Sequence, residues 1–169
     1  MMASASATRL TAGTELRAAD ASDAEFLRRV YAATREAEMG LLDWPEAAKA
    51  HFLRQQFDAQ DAHYRAHYPG ASLDVILQNG ERVGRLFVHR SKTEIRVMDI
   101  ALIADARGRG IGTGLMTGLL DEGADTDRPV TIHVEAHNPA RAWYERLGFQ
   151  AIEARGLYLF MAWTPGSSR

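Results

Sequence analysis

The run Arg107-Gly108-Arg109-Gly110-Ile111-Gly112-Thr113 joins a predicted strand to a predicted helix. Unpaired amides at a helix start point outward, and the helix dipole adds partial positive charge there. With arginine on either side, such a turn suits a phosphate or a diphosphate. The helix that follows carries Gly112, Gly114 and Gly118, each disfavoured by roughly 1 kcal/mol relative to alanine. Close approach of another group to bare backbone is one compensation; a plain glycine-rich connection is the other reading. Nucleotide fingerprints fail on spacing. Three residues after Gly110 stands Thr113, three after Gly112 stands Leu115, and no Gly-Lys pair exists.

Two titratable groups stand out on predicted strands. Asp99 interrupts the apolar stripe Ile95, Val97, Ala101, Ile103. A desolvated carboxylate there has a raised pKa and suits a general base. The alternative is a structural carboxylate that accepts from backbone amides where strands part. His133 shares one face of the segment 130–136 with Thr131 and Glu135, opposite Val130, Ile132, Val134 and Ala136. Its imidazole titrates near neutrality and can take a proton directly or through water; a hydrogen-bonded surface residue is the competing reading. The remaining histidines make no metal-ligand set. His63 and His67 sit at i, i+4 without the H-E-x-x-H glutamate, so no metal is expected.

These residues need elements to hold them. A strand near Thr14–Ala18 precedes a helix over residues 23–38, with Ser22 as a candidate cap and Phe26, Leu27, Val30, Tyr31 and Thr34 at helical spacing. Gly40–Pro45 breaks that helix. A second helix runs to about His67, with Phe52, Gln56, Ala59 and His63 on one stripe. Leu73–Leu77 and Val83–His89 flank Asn79-Gly80, a hairpin signal. Glu94–Ile103 reads as a long strand, Gly110–Glu122 as a helix ending at Gly123, and Val130–Ala136 as a strand. Asn138–Leu147 reads as a short helix, and Phe149–Glu153 and Leu157–Trp163 as the closing strands. The order β-α-α-β-β-β-α-β-α-β-β predicts a single α/β domain over residues 12–165 with a mixed sheet, after a disordered tail over 1–11.

The glycine turn matches the Q/R-x-x-G-x-G/A signature of the GNAT superfamily of N-acetyltransferases. Downstream, Asn138-Pro139-Ala140-Arg141-Ala142-Trp143-Tyr144-Glu145-Arg146-Leu147-Gly148-Phe149 resembles that family's N-x-x-x-x-x-Y-x-x-x-G-F motif. The similarity covers about residues 72–163; residues 1–70 match in pattern only. The resemblance implies an α+β fold with a mostly antiparallel sheet flanked by helices. It further implies transfer of an acetyl group from acetyl-coenzyme A, as donor substrate, to a primary amine by direct attack in a ternary complex. On that reading the backbone of Ile100, Ala101 and Leu102 holds the pantetheine arm. Arg107, Gly108, Arg109, Gly110, Ile111, Gly112 and Thr113 wrap the pyrophosphate, and Asn138 contacts the arm. Tyr144 lies beside the thioester sulfur as candidate acid, or else is a packed helix tyrosine. His133 falls where some members carry a catalytic glutamate. The region of Trp44 lines the acceptor pocket in many members; a structural tryptophan is the other reading.

Bulk composition agrees with an ordinary globular domain. The chain has 169 residues, 46% hydrophobic and 25% charged, with formal net charge −2 and no cysteine. Thiolate chemistry and disulfides are thereby excluded, and nothing in the charge balance predicts nucleic acid as a partner. No apolar run reaches membrane-spanning length. We expect a cytoplasmic acetyltransferase acting on a small-molecule or protein amine. A non-catalytic acyl-coenzyme A sensor on the same scaffold is the alternative. The apolar segment Leu157–Trp163 leaves two arrangements open, a homodimer pairing and a place within one sheet.

Overall fold

A hydrogen-bonded aspartate, not Ser22, starts the helical region. Asp20 accepts from the Ser22 amide at 2.8 Å, and the Asp23 carboxylate accepts in return from the Asp20 amide at 2.9 Å. This reciprocal capping box closes a 3-10 turn over Ala21–Asp23, and the helix proper begins at Ala24. The computed structural model in which this is seen describes residues 10–166; the first nine residues of the expected tail lie outside them.

Among the described residues, seven strands hydrogen-bond in the order β1-β2-β3-β4-β5-β7-β6. They are β1 (Thr14–Ala18), β2 (Ser72–Gln78), β3 (Glu81–Arg90), β4 (Ile95–Leu102), β5 (Val130–Glu135), β6 (Gln150–Arg155) and β7 (Tyr158–Trp163). The helices are α1 (Ala24–Thr34), α2 (Glu36–Gly40), α3 (Glu46–His67), α4 (Ile111–Thr126) and α5 (Ala140–Arg146). The mixed α/β order agrees with the sequence reading. The described residues divide into two compact units, one of Gly13–Phe87 with Asp99–Arg109, the other of residues 10–12, Val88–Met98 and 110–166.

In the first unit β1 and β2 pair antiparallel from Thr14↔Gln78 to Ala18↔Asp74. α1 buries Phe26, Leu27, Val30 and Tyr31. α3 buries Phe57, whose ring meets Tyr31 edge-on at 5.9 Å. The expected stripe Phe52, Gln56, Ala59, His63 is therefore wrong: Gln56, Ala59 and His63 are exposed. The inward row is Leu53, Phe57 and Tyr64 instead, because α3 is mostly polar and one aromatic anchor decides its rotation. Asp23, fully buried, accepts two hydrogen bonds from Arg17 at 2.9 and 2.8 Å and a third from Arg82 at 3.3 Å. Two guanidiniums and an amide hold its carboxyl well below the usual carboxylate range.

In the second unit β5 pairs antiparallel with β7 from Val130↔Trp163 to Glu135↔Tyr158, and β7 pairs with β6 across a bulge near Ala151. The apolar last strand thus lies inside the sheet, and β6, exposed along its length, is the edge. α4 buries Ile111, Leu115, Met116, Leu119 and Leu120. It does not end at Gly123 as expected. A Cβ on Gly123 would stand 2.7 Å from the Arg128 carbonyl oxygen and 3.1 Å from the Trp163 ring. The glycine there serves close packing inside the helix, and the chain leaves the helix at Asp127 in a left-handed conformation.

Candidate active site

β4 leads through a 3-10 turn (Ala104–Ala106) into the glycine turn, which is exposed throughout Arg107–Gly110. Gly108 and Gly110 have φ of +73° and +79°, a region that side chains with Cβ resist. Among the described residues, a Cβ at Gly108 would meet nothing within 4 Å, so they leave the turn open above its backbone. Gly110 caps α4 without any side-chain cap, and the first backbone bond of the helix is Gly114 N–H to the Gly110 carbonyl at 2.9 Å. The amides of Ile111, Gly112 and Thr113 therefore have no acceptor within the helix. Bare donors at the positive end of a sixteen-residue helix form an anion seat. Arg107 does not extend freely from it: its Nε–H donates to the Leu102 carbonyl at 3.0 Å. The Leu102 carbonyl is thereby engaged by the chain itself.

The parallel ladder of β4 to β5 is short, running from Ile95↔Val130 to Val97↔Ile132. Among the described residues, the β4 backbone at Ile100, Ala101 and Leu102 is outside that ladder.

Asp99 lies on β4 in the first unit. It is not a carboxylate fed by backbone amides. Arg85 of β3 donates from Nη2 to its Oδ2. Burial pushes the Asp99 carboxyl above its ordinary value, against the opposing charges of Arg85 and Arg35.

Tyr144 and His133 lie in the second unit. Tyr144 is buried on α5, edge-on to Phe149 at 5.8 Å and beside Trp143 at 4.8 Å. Pro139 has helical angles, and Asn138 Oδ1 accepts from the Ala140 amide at 2.9 Å, so asparagine and proline start α5 together. The Trp143 indole N–H donates to Thr113 Oγ1 at 3.0 Å. That bond ties the first turn of α4 to the helix that carries Tyr144. Spacing alone did not single out Trp143; its place beside the motif tyrosine was the available signal.

His133 Nε2 lies 3.1 Å from the Arg155 Nη1, so its lone pair accepts a guanidinium N–H and Nδ1 carries the proton. Its ring tilts over Phe160 at 5.1 Å. Burial, then the charges of Arg96 and Arg155, hold this imidazole below its ordinary value, with Glu94 opposing. Its basic nitrogen is already engaged by Arg155.

A cavity of about 850 Å³ opens among α1, α2 and α3, walled by residues such as Arg28, Ala32, Met39, Lys49 and Leu53. Neither Asp99 nor Trp44 lines it; Trp44 packs edge-on against Phe52 at 5.5 Å. Among the described residues no group of histidines and carboxylates could hold a metal ion. No helix among them is long and apolar enough to cross a membrane.

A family model described as an acetyltransferase (GNAT) domain matches residues 33–165. Among solved structures, the PaiA N-acetyltransferase of Thermoplasma acidophilum in complex with coenzyme A matches with TM-score 0.68 and 13% identity, covering 89% of this chain and 98% of that one. An acetyltransferase from Thermus thermophilus gives 0.63 at 19% identity over 88% and 94%. Arabidopsis thaliana Naa50 in complex with the bisubstrate analogue CoA-Ac-MVNAL gives 0.57 at 15% over 89% and 97%. No curated protein matches the chain.

Proposed function

Since this chain belongs to the GNAT acetyltransferase family, we propose that it transfers an acetyl group from acetyl-coenzyme A to a primary amine by direct attack in a ternary complex. The observation that carries the reading is the open glycine turn, with three unengaged amides at the start of α4. On this proposal those amides, with Gly108, Arg109 and Gly110, hold the donor's diphosphate. The backbone of Ile100 and Ala101 and the amide of Leu102 hold its pantetheine arm, and Asn138 contacts that arm. Arg107 serves by fixing the Leu102 carbonyl.

The chemistry has two proton problems. An aliphatic ammonium titrates near about 10, so the nucleophile must lose a proton before it attacks. Asp99 takes that proton; its desolvated carboxyl is a better base than an exposed one. His133 is the second candidate, reached only after Arg155 releases its nitrogen. As nitrogen bonds the acetyl carbon the carbon–sulfur bond breaks; the nitrogen then sheds its second proton, which ends on the departing sulfur as the coenzyme thiol, and until then the forming thiolate requires a hydrogen bond. Tyr144 supplies it. Because a thiol titrates at about 8.5 and tyrosine at about 10, a hydrogen bond to the forming thiolate accounts for more of its work than full transfer. Orientation of both substrates supplies much of the remaining rate.

On this reading residues 12–165 act as one catalytic domain in the cytoplasm. The acceptor is a small-molecule or protein amine. The test is calorimetric titration with coenzyme A, followed by free-thiol release from acetyl-coenzyme A with a panel of primary amines. Binding with thiol release for some amine supports an enzyme. Binding without release for any amine turns the reading to an acyl-coenzyme A sensor, and no binding at millimolar coenzyme overturns both.

A further inference from the structure

We propose that Arg85 is a positioning residue for the acetyl transfer: clamped between the rings of Tyr31 and Phe87, it anchors Asp99 by one carboxylate oxygen and leaves the other, Oδ1, to receive the proton of the acceptor amine. The inference rests on the assignment of Asp99 as the base.

Arg85 is 1% exposed. Its Nη2 donates to Asp99 Oδ2 and, at 3.5 Å, to Gln60 Oε1. Among the described residues, its Nε and Nη1 have no hydrogen-bond partner. Leaving guanidinium donors unpaired in the interior is costly. A side chain kept only for stability would use its fork in a bidentate pair with the carboxylate, the geometry that satisfies two donors at once. Here the pair is one-pronged. The guanidinium carbon instead lies 5.6 Å from the Tyr31 ring centroid and 5.2 Å from that of Phe87. Aromatic walls attract the cation and fix its place without consuming a carboxylate oxygen. Asp99 Oδ1 has no hydrogen bond among the described residues, and the Asp99 side chain keeps 18% exposure, so a small amine can reach it.

The groups that face Asp99 come from several elements. Arg85 reaches it from β3 and Arg35 from the end of α1; the buried Tyr31 of α1 and the neutral Gln60 of α3 pack on the Arg85 guanidinium. Arg35 is itself paired with Glu38 at 3.1 Å. Arg85 is thus the cation in direct contact with Asp99, and its charge opposes the effect of burial on the carboxyl.

The test is the pH profile of kcat/KM for thiol release, measured with acetyl-coenzyme A and the fastest amine of the panel. Asp99→Asn should abolish the acidic limb along with turnover. Arg85→Met removes the opposing cation, so the acidic limb should move to higher pH by about one unit. Arg85→Lys keeps the charge but not the planar fork; kcat should fall about ten-fold with the limb unmoved. Should Arg85→Met fail to fold by circular dichroism, Arg85→Lys and Phe87→Leu carry the test: both should lower kcat while leaving the KM for the amine nearly constant. An unmoved limb in folded Arg85→Met, or unchanged kcat in the other two, overturns the role of Arg85. Retained turnover in Asp99→Asn overturns the base assignment itself, a distinguishable failure.

Discussion

At the scale of single residues, what each side chain already does decides what it can contribute to the reaction. Gly110 sits at φ +79°, and among the described residues only the Thr11 methyl lies within 4 Å of a built Cβ, at 3.8 Å. Gly110→Glu would add left-handed strain and place a carboxylate where an anion should sit. Coenzyme A affinity measured by calorimetry is expected to fall roughly a hundred-fold or more, while the circular dichroism spectrum stays native. Unchanged affinity would remove the turn from cofactor binding. Tyr144→Phe keeps the buried ring and its contact with Phe149 but removes the hydroxyl. Turnover should drop about 10²-fold with coenzyme affinity little changed; equal turnover would exclude the hydroxyl from the chemistry.

At the scale of elements, the Trp143 bond to Thr113 connects the start of α4 with α5. Trp143→Phe loses one hydrogen bond worth about 1 kcal/mol. Coenzyme A affinity should weaken about five-fold if that bond steadies the seat, and a variant indistinguishable from wild type by calorimetry would deny it that part. This scale also shows what spacing can and cannot reveal. The strands, the Asn79-Gly80 turn and the glycine turn were legible because each is written in local residue chemistry: alternation, a left-handed pair, bare amides before an apolar helix. The rotation of α3 was not legible, since its few apolar residues fit two stripes and Phe57 meeting Tyr31 decides between them. The end of α4 was misread because Gly123 answers to packing against the Arg128 carbonyl and the Trp163 ring, the latter on the last strand and outside any local helix signal. The Arg85 partner of Asp99 was equally out of reach, fourteen residues away on a neighbouring strand.

At the scale of the whole molecule, stability against acid should depend heavily on Asp23. Its carboxyl is held below the usual range by Arg17 first, then by the Asp20 amide and Arg82, against burial. A group with a depressed native pKa stabilises the fold fully above the unfolded value of about 4 and loses that contribution as pH falls below it. Asp23→Asn should therefore cost about 3 kcal/mol at pH 7, and its Tm should fall less than that of wild type between about pH 6 and about pH 3. Parallel Tm curves would show that Asp23 is not the acid-sensitive group. The central claim, that the first amides of α4 clasp a diphosphate, is tested most directly by amide hydrogen exchange with and without coenzyme A. Exchange at Ile111, Gly112 and Thr113 should slow markedly on addition of the coenzyme. Protection that develops elsewhere, with these three amides unchanged, would contradict it.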